Sequence, residues 1–505
     1  MHPLDLVLLV AYLGGTIAFG LWMGRGQKSA SDYLLGGRDL PWWALLLSIV
    51  ATETSTATFL SVPGIAFGGG LADSTGDFRY LQLPLGYLVG RAIAAFLLVP
   101  LYFQGELFTA YDVLRVRSGP RVRTLASGLF LVTRTLADGL RLYLTAVVLQ
   151  VMFGWSLPLA VSVTALATLG YTVVGGIKAV VWTDVLQFGV YMVGAMAALM
   201  VIGDGVDGGL GAVLADANAT GRLRVFDCGW DFGNVYTFWA GLIGGAVLTM
   251  GSHGVDQMIV QRYLSARNRR DAQWALLGSG PVVLLQFALF LTIGLSLSYF
   301  YAAHPPAAPF TKGDQVFADF IVHHLPTGLV GLVLGAVFSA AMSTLSSSLS
   351  ASASALVNDF VLPATGHAAD SPFALRAAKL ATVLFAGLQI AVGISGLGGG
   401  AVVNQVLKIA GNTTGVILGL FVLALLPRRS PIASLWGLCA GIAAIVTVVF
   451  VLPAVDVALA WPWHGLVTSG ATLCVGAAVA RIARPQPRPG VDGSPASLGR
   501  GRLAP

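Results

Sequence analysis

Thr52-Glu53-Thr54-Ser55-Thr56, followed by Pro63-Gly64, interrupts an apolar run over about 41–68. Thr249-Met250-Gly251-Ser252-His253-Gly254 interrupts a second run, over about 237–262, in the same way. Hydroxyl, carboxyl and glycine residues in mid-span break a helix. The freed amide and carbonyl groups are tolerated in hydrocarbon only where they line a cavity. Outward from each interruption, the runs over 41–203 and 237–427 read as two halves of similar length, each with five spans and each opening on its broken span. An odd number of helices per half makes the second half insert upside down. Matching interruptions in two inverted halves are the sequence mark of a transporter binding site.

The composition agrees. Of 505 residues, 56% are hydrophobic and 10% charged, against roughly a quarter charged in ordinary globular chains. Such a chain cannot cover a water-facing surface. Thirteen spans are expected, at about 5–24, 41–68, 80–103, 122–153, 156–174, 181–203, 237–262, 272–301, 328–360, 375–398, 401–427, 432–453 and 462–483. The fold class is therefore an all-α polytopic membrane protein in the cell (plasma or bacterial inner) membrane. An extra N-terminal helix and loop occupy 1–40, an outer loop 204–236, two peripheral helices 428–483 and a disordered tail 484–505.

Most enzyme classes lose their supports. No lysine follows a glycine, so there is no phosphate-cradling GxxxxGK[ST] loop, and neither Glu53 nor Glu106 lies in an HExxH motif. Cys228, Cys439 and Cys474 are too scattered for a disulfide framework or metal cluster. The net charge of +6 does not point to nucleic acid, because the bases sit in short loops. Arg25, Lys28, Arg38, Arg115, Arg117, Arg121, Arg123, Lys178, Arg262, Arg267, Arg269, Arg270, Arg376, Lys379, Arg428, Arg429 and the arginines from Arg481 onward fall on one side. Only Arg79, Arg222, Arg224 and Lys312 fall on the other. That bias predicts an outer N-terminus and an inner C-terminus. The outer loop carries Asp204, Asp207, Asp216, Asp227 and Asp231, readable as a cation-gathering vestibule or as a solvated loop.

Three groups of residues can carry chemistry. Ser343, Ser346, Ser347, Ser350 and Ser354 form one hydroxyl stripe on the ninth span. Small residues also serve close helix packing, but their density opposite a broken helix favours an ion site. Asp184, at the start of the sixth span, needs a partner or a function, and a place near the interface balanced by Lys178 would serve equally. Arg134, Asp138, Arg141 and Thr145 share one face of the fourth span. Counting Arg91, Arg134, Arg141 and Lys408 against Glu53, Asp138 and Asp184 leaves one spare positive charge. An internal salt-bridge network or an arginine that meets a solute carboxylate would each account for it.

Gly175 to Gln187, Gly254-Val255-Asp256-Gln257 running to Gln261-Arg262, and Ala340 to Ser347 resemble the sodium/solute symporter family, over roughly residues 5–453. The resemblance implies a LeuT-type fold of five plus five inverted helices. It implies a sodium site with carbonyls from Ala51, Thr54 and Ala340 and hydroxyls from Ser343 and Thr344. Some members hold a second ion, for which the matching positions are Asp184, Ser343, Ser346 and Ser347. Substrate positions transfer less well: Thr52, Glu53, Ser55 and Thr58 surround the first break. Thr249, Ser252 and His253 face them, with Gln286, Asn404, Gln405 and Lys408 as further candidates.

The expected function is sodium-coupled import of a small polar organic solute (a sugar, amino acid or carboxylate) by alternating access. One or two Na+ ions would move with the solute, the lipid bilayer being the one obligatory surroundings and no protein partner being implied. A proton-coupled carrier of the same fold and a transporter-like solute sensor are the alternatives. A channel is disfavoured, since no ring of charges or carbonyls is in sight.

Overall fold

The computed structural model describes residues 2–71, 74–306, 308–395, 400–427 and 430–483. The expected tail over 484–505 lies outside them. Among the described residues all regular elements are helices, with one isolated bridge between Leu40 and Ala266. Eight helices among the described residues are long and apolar enough to cross a membrane, or nine with one bent pair counted as a span.

In chain order the elements that position the site are α1 (Pro3–Met23), α2 (Trp42–Glu53), α3 (Thr56–Phe67), α4 (Gln82–Ile93), α5 (Pro120–Phe153), α6 (Leu157–Asp204), α7 (Gly209–Ala219), α8 (Gly245–Gly254), α9 (Gln257–Leu264), α10 (Arg269–Ala303), α11 (Gly313–His323), α12 (Leu329–Leu356), α13 (Pro372–Ser395), α14 (Gly400–Leu425), α15 (Pro431–Val446) and α16 (Trp461–Ile482). The first run is broken within its polar stretch, and the second just after its own, which stays helical through Gly254. α2 and α3 meet at a 64° bend, and α8 and α9 are separated at Val255 and Asp256.

The expected spans over 156–174 and 181–203 run as one 48-residue element, α6. At 1.5 Å per residue a straight helix of that length would be about 72 Å, more than twice the hydrocarbon thickness. Gly176 folds it back, with φ 53° and ψ −154°. A Cβ there would lie 2.2 Å from the Tyr33 carbonyl oxygen, so the turn takes glycine for both conformation and space. What reads as a loop in the sequence is a hinge between two arms.

α12 is the central helix, and its serines and alanines from Ser339 to Ala355 are buried. It packs against α6, α1, α5 and α13. Small side chains let backbones approach closely, the main source of cohesion where lipid removes the hydrophobic drive between helices. α11 lies across α3, with Gly64 so near the Gly313 backbone that a Cβ would sit 2.3 Å from its carbonyl oxygen.

The stretch 204–236, expected as an outer loop, is more structured than a solvated loop. It contains α7, and Arg222 donates to the carbonyls of Ala66 (2.8 Å), Phe67 (2.9 Å) and Gly76 (2.7 Å). These include the last carbonyls of α3, which have no partner within the helix. Asp227 pairs with Arg79 at 3.3 Å, and the Gly229 backbone N–H holds its carboxyl below the usual carboxylate range.

Candidate functional site

The first break is built by capping. Thr54 adopts an extended backbone after its N–H bonds back to the Val50 carbonyl at 3.1 Å. Ser55 then caps α3 by accepting from Thr58 N–H at 3.3 Å. The carbonyls ending α2 are left facing α12. Ser343 Oγ donates to the Ala51 carbonyl at 2.9 Å and to Ala340 at 3.2 Å. Thr344 Oγ1 donates to the Thr52 carbonyl at 3.1 Å and to Ala340 at 3.3 Å. Ala51, Ala340, Ser343 and Thr344 thus converge in a buried crossing of α2 and α12. Thr54 sits beside it, its hydroxyl donating to Val50 at 2.9 Å and accepting from Gln286 Nε2 at 2.7 Å. Neutral carbonyl and hydroxyl oxygens with no carboxylate among them form a donor set that fits a hard monovalent cation.

Asp184 has a partner that the sequence reading misplaced. Arg262, counted among the loop bases, is fully buried on α9 and lies 2.9 Å from Asp184, with neither side chain exposed. Its guanidinium also donates to Ser48 (2.8 Å), Ser347 (2.5 Å), Thr52 (2.5 Å) and the Met258 carbonyl (2.6 Å). Ser48 Oγ donates to Asp184 Oδ2 at 2.5 Å. Of the residues matched to a second ion, Asp184 and Ser347 therefore meet on one guanidinium. Ser346 turns back to the Ser343 carbonyl at 3.1 Å. The signal was present in the sequence: a lone buried carboxylate demands a counter-ion, and α9 supplies a charge that span counting assigns to a loop.

A cavity of about 320 Å³ opens between the two broken helices, α5 and α14. Thr52, Glu53, Ser55, Thr58, Arg141, Thr249, Ser252 and His253 all line it. So do Arg134, Asp256, Thr133 and Thr413, which were not singled out as substrate positions. Lys408 does not join them. It is exposed and lines a separate cavity with Asn412, Trp461 and His464. The side chains of Asn404 and Gln405 lie outside the described residues.

The charges around the cavity are paired, which corrects the count of one spare cation. Glu53 pairs with Arg91 and lies 3.4 Å from His253 Nε2. Arg134 pairs with Asp256 at 2.5 Å and faces Asp138 at 3.5 Å. Arg141 pairs with Asp138 at 2.5 Å. The earlier count omitted Asp256 and Arg262, and it included Lys408, which is exposed. With Arg262–Asp184, the four arginines of this region (Arg91, Arg134, Arg141 and Arg262) stand against four carboxylates (Glu53, Asp138, Asp184 and Asp256), and their charges cancel. Arg141 differs from the other three arginines in keeping a side chain 42% exposed.

Residues 33–441 match the Sodium:solute symporter family. The chain belongs to this family. It is 30% identical to the human sodium/iodide cotransporter over 84% of this chain and 66% of that protein. It is 29% identical to human sodium-coupled monocarboxylate transporter 1 over 87% of this chain and 72% of that protein. It is also 29% identical to a sodium/sialic acid symporter of Aliivibrio fischeri over 66% of this chain and 64% of that protein. The matched stretch thus spans about two thirds of these relatives' own length. Among solved structures, a Na+-coupled sialic acid symporter in a substrate-bound outward-open state superposes with a TM-score of 0.85, at 25% identity, covering 96% of this chain and 99% of that one. A nucleobase-cation-symport-1 family transporter superposes at 0.57 and 15% identity, covering 90% of this chain and 95% of that one, a likeness of fold alone. These family relatives are integral membrane transporters, not enzymes.

Proposed function

We propose that this protein couples inward sodium flow to the uptake of a small organic carboxylate by alternating access, with its N-terminus outside and its C-terminus inside. The observation that carries the reading is the cavity between the two broken helices, walled by hydroxyls and by a half-exposed arginine, next to a crossing of neutral oxygens. In that crossing Ala51, Thr54 and Ala340 would offer carbonyls, and Ser343 and Thr344 hydroxyls, to one sodium ion. Each sodium moved down 100 mV yields about 2.3 kcal/mol before its concentration gradient is added. Asp184 and Ser347, with Ser343 and Ser346, would serve a second ion only if the guanidinium of Arg262 moves off them. The proposal therefore rests on the first site.

Arg141 would grip the solute carboxylate with two parallel hydrogen bonds. Thr52, Ser55, Thr58, Thr249 and Ser252 would meet its remaining polar groups, while Glu53 and His253 stay tied to Arg91. Once the fixed charges cancel, an incoming sodium leaves the region one positive charge in excess, and a carboxylate restores neutrality where a sugar does not. The relatives described as monocarboxylate and sialic acid transporters support the same class.

Uptake into proteoliposomes tests the reading. Accumulation of L-lactate or N-acetylneuraminate is expected with an inward sodium gradient and not with potassium at the same pH. Uptake driven by a proton gradient without sodium would replace this reading with the proton-coupled one. A thermal-shift screen in which an uncharged sugar is the best ligand would overturn the carboxylate.

A further inference from the structure

Arg134, Asp138 and Arg141 follow one another at i, i+4 and i+7 along α5, and they form a chain that continues onto α9. Asp138 is buried, its side chain 1% exposed, and its two oxygens are unequal. Oδ1 accepts from Arg141 Nη1 at 2.5 Å. Oδ2 is 3.5 Å from Arg134 Nη1 and has no hydrogen-bond partner among the described residues. Arg134 instead spends its other nitrogen on Asp256 Oδ2 at 2.5 Å. Asp256 is the N-cap of α9, where its Oδ1 accepts from Met258 N–H at 2.9 Å.

We propose that Asp138 and Arg134 are positioning residues that report occupation of Arg141 to the second broken helix. This rests on the carboxylate reading above. An anion seated on Arg141 takes up the hydrogen-bonding fork that now holds Asp138, and its charge repels the Asp138 carboxylate. The nearest other cation is Arg134, whose Nη1 needs to close less than an ångström to make a hydrogen bond. Two carboxylates then compete for one guanidinium, and the hold of Arg134 on Asp256 weakens. That hold ties α5 to the start of α9. A solute charge read on one helix is thus converted into release of another, by exchange of partners among the charges already buried there. The Oδ2 that faces Arg134 without a hydrogen bond is the feature a static salt-bridge network does not explain, since a buried carboxylate oxygen that accepts no hydrogen bond is costly.

The test uses full-length protein in lipid nanodiscs with Cys228, Cys439 and Cys474 replaced by alanine and Ile259→Cys as a reporter. Ile259 is 3% exposed on α9 and borders the cavity, so loosening of α9 speeds its reaction with a soluble thiol reagent. Without solute, Arg141→Gln should raise the rate about threefold, and Asp138→Asn should lower it about as much, in line with couplings between adjacent charged groups. Arg141→Lys, which keeps the charge, replaces Arg141→Gln if that variant fails to fold, and should fall between it and the parent. L-lactate or N-acetylneuraminate with sodium should accelerate labelling in the parent and not in Asp138→Asn. Equal rates in the parent, Arg141→Gln and Asp138→Asn would overturn the proposal. Variants that shift the rate while neither carboxylate does would support the exchange of partners and count against the carboxylate solute.

Discussion

Ser343 and Thr344 each bridge a carbonyl at the end of α2 and the Ala340 carbonyl of α12. If these hydroxyls serve sodium, Ser343→Ala and Thr344→Ala each remove one ligand oxygen. The sodium concentration for half-maximal uptake should then rise about three- to tenfold, the equivalent of about 1 kcal/mol per neutral oxygen contact. If they serve only packing, alanine is as small and leaves the sodium dependence unchanged. Asp184 calls for a different expectation, because it is the counter-ion of a guanidinium with no exposure. Asp184→Asn strands that charge, and breaking a buried pair from one side costs about 3–5 kcal/mol. The variant should therefore unfold at a clearly lower temperature, and adding Arg262→Met should recover most of the loss. An Asp184→Asn protein with unchanged thermal stability but altered sodium dependence would make the carboxylate an ion ligand first. Single-residue reading of the sequence came close here. It marked Asp184 as needing a partner, but the partner lies 78 positions away and was read as a loop base.

At the scale of elements, the sequence betrays breaks better than it betrays turns. Polar residues within an apolar run are visible without a structure: the first break falls within Thr52–Thr56, and the second follows directly on Thr249–Gly254, at Val255 and Asp256. Eight proposed substrate residues share one cavity because each belongs to one of those breaks or to the charged face of α5. The geometry of a turn is not visible in this way. Gly175-Gly176 reads as a loop between two spans, and only the approach of Tyr33 shows why its second glycine is fixed. Gly176→Ala combines a left-handed φ with a Cβ 2.2 Å from a carbonyl oxygen. It should cost stability on the order of 1–3 kcal/mol or more, read as a lower unfolding temperature and reduced yield of folded protein. Ala179→Gly, three residues on in a regular stretch, should cost no more than about 1 kcal/mol. α9 was the least legible element: eight residues, entirely buried, with Gln257, Gln261 and Arg262 among them. No periodicity argument places such a polar helix inside a bundle. Its polar side chains find partners on α2, α6, α12, the Leu34 carbonyl and the Ala110 backbone N–H, through contacts that only the tertiary fold creates.

The whole molecule has a direction in the bilayer, and the chain's own cysteines can report it. The proposed orientation rests on the concentration of Arg and Lys in one set of loops, and it places 204–236 outside. Cys228 lies in that stretch and is exposed. Cys439 and Cys474 are exposed too, but each sits within an apolar helix, α15 and α16, on a face turned away from the protein. A thiol must ionise to react with a maleimide, and a thiolate is not sustained in hydrocarbon, so lipid-facing Cys439 and Cys474 should stay silent. In intact cells a membrane-impermeant maleimide is therefore expected to label the parent protein at one position. Cys228→Ser should abolish that labelling, while Cys439→Ser and Cys474→Ser leave it unchanged. The opposite orientation makes a contrary demand: no labelling in intact cells, and labelling of Cys228 only after the cells are broken. The same experiment bears on the span count. The first six spans set the side of Cys228, so outer labelling with an outer N-terminus requires the arms of α6 to cross separately, with the Gly176 turn on the inner face. Were α6 a single crossing, Cys228 and the N-terminus would lie on opposite sides. An epitope at the N-terminus and a maleimide at Cys228, both accessible from outside in one preparation, therefore fix the parity of everything between them.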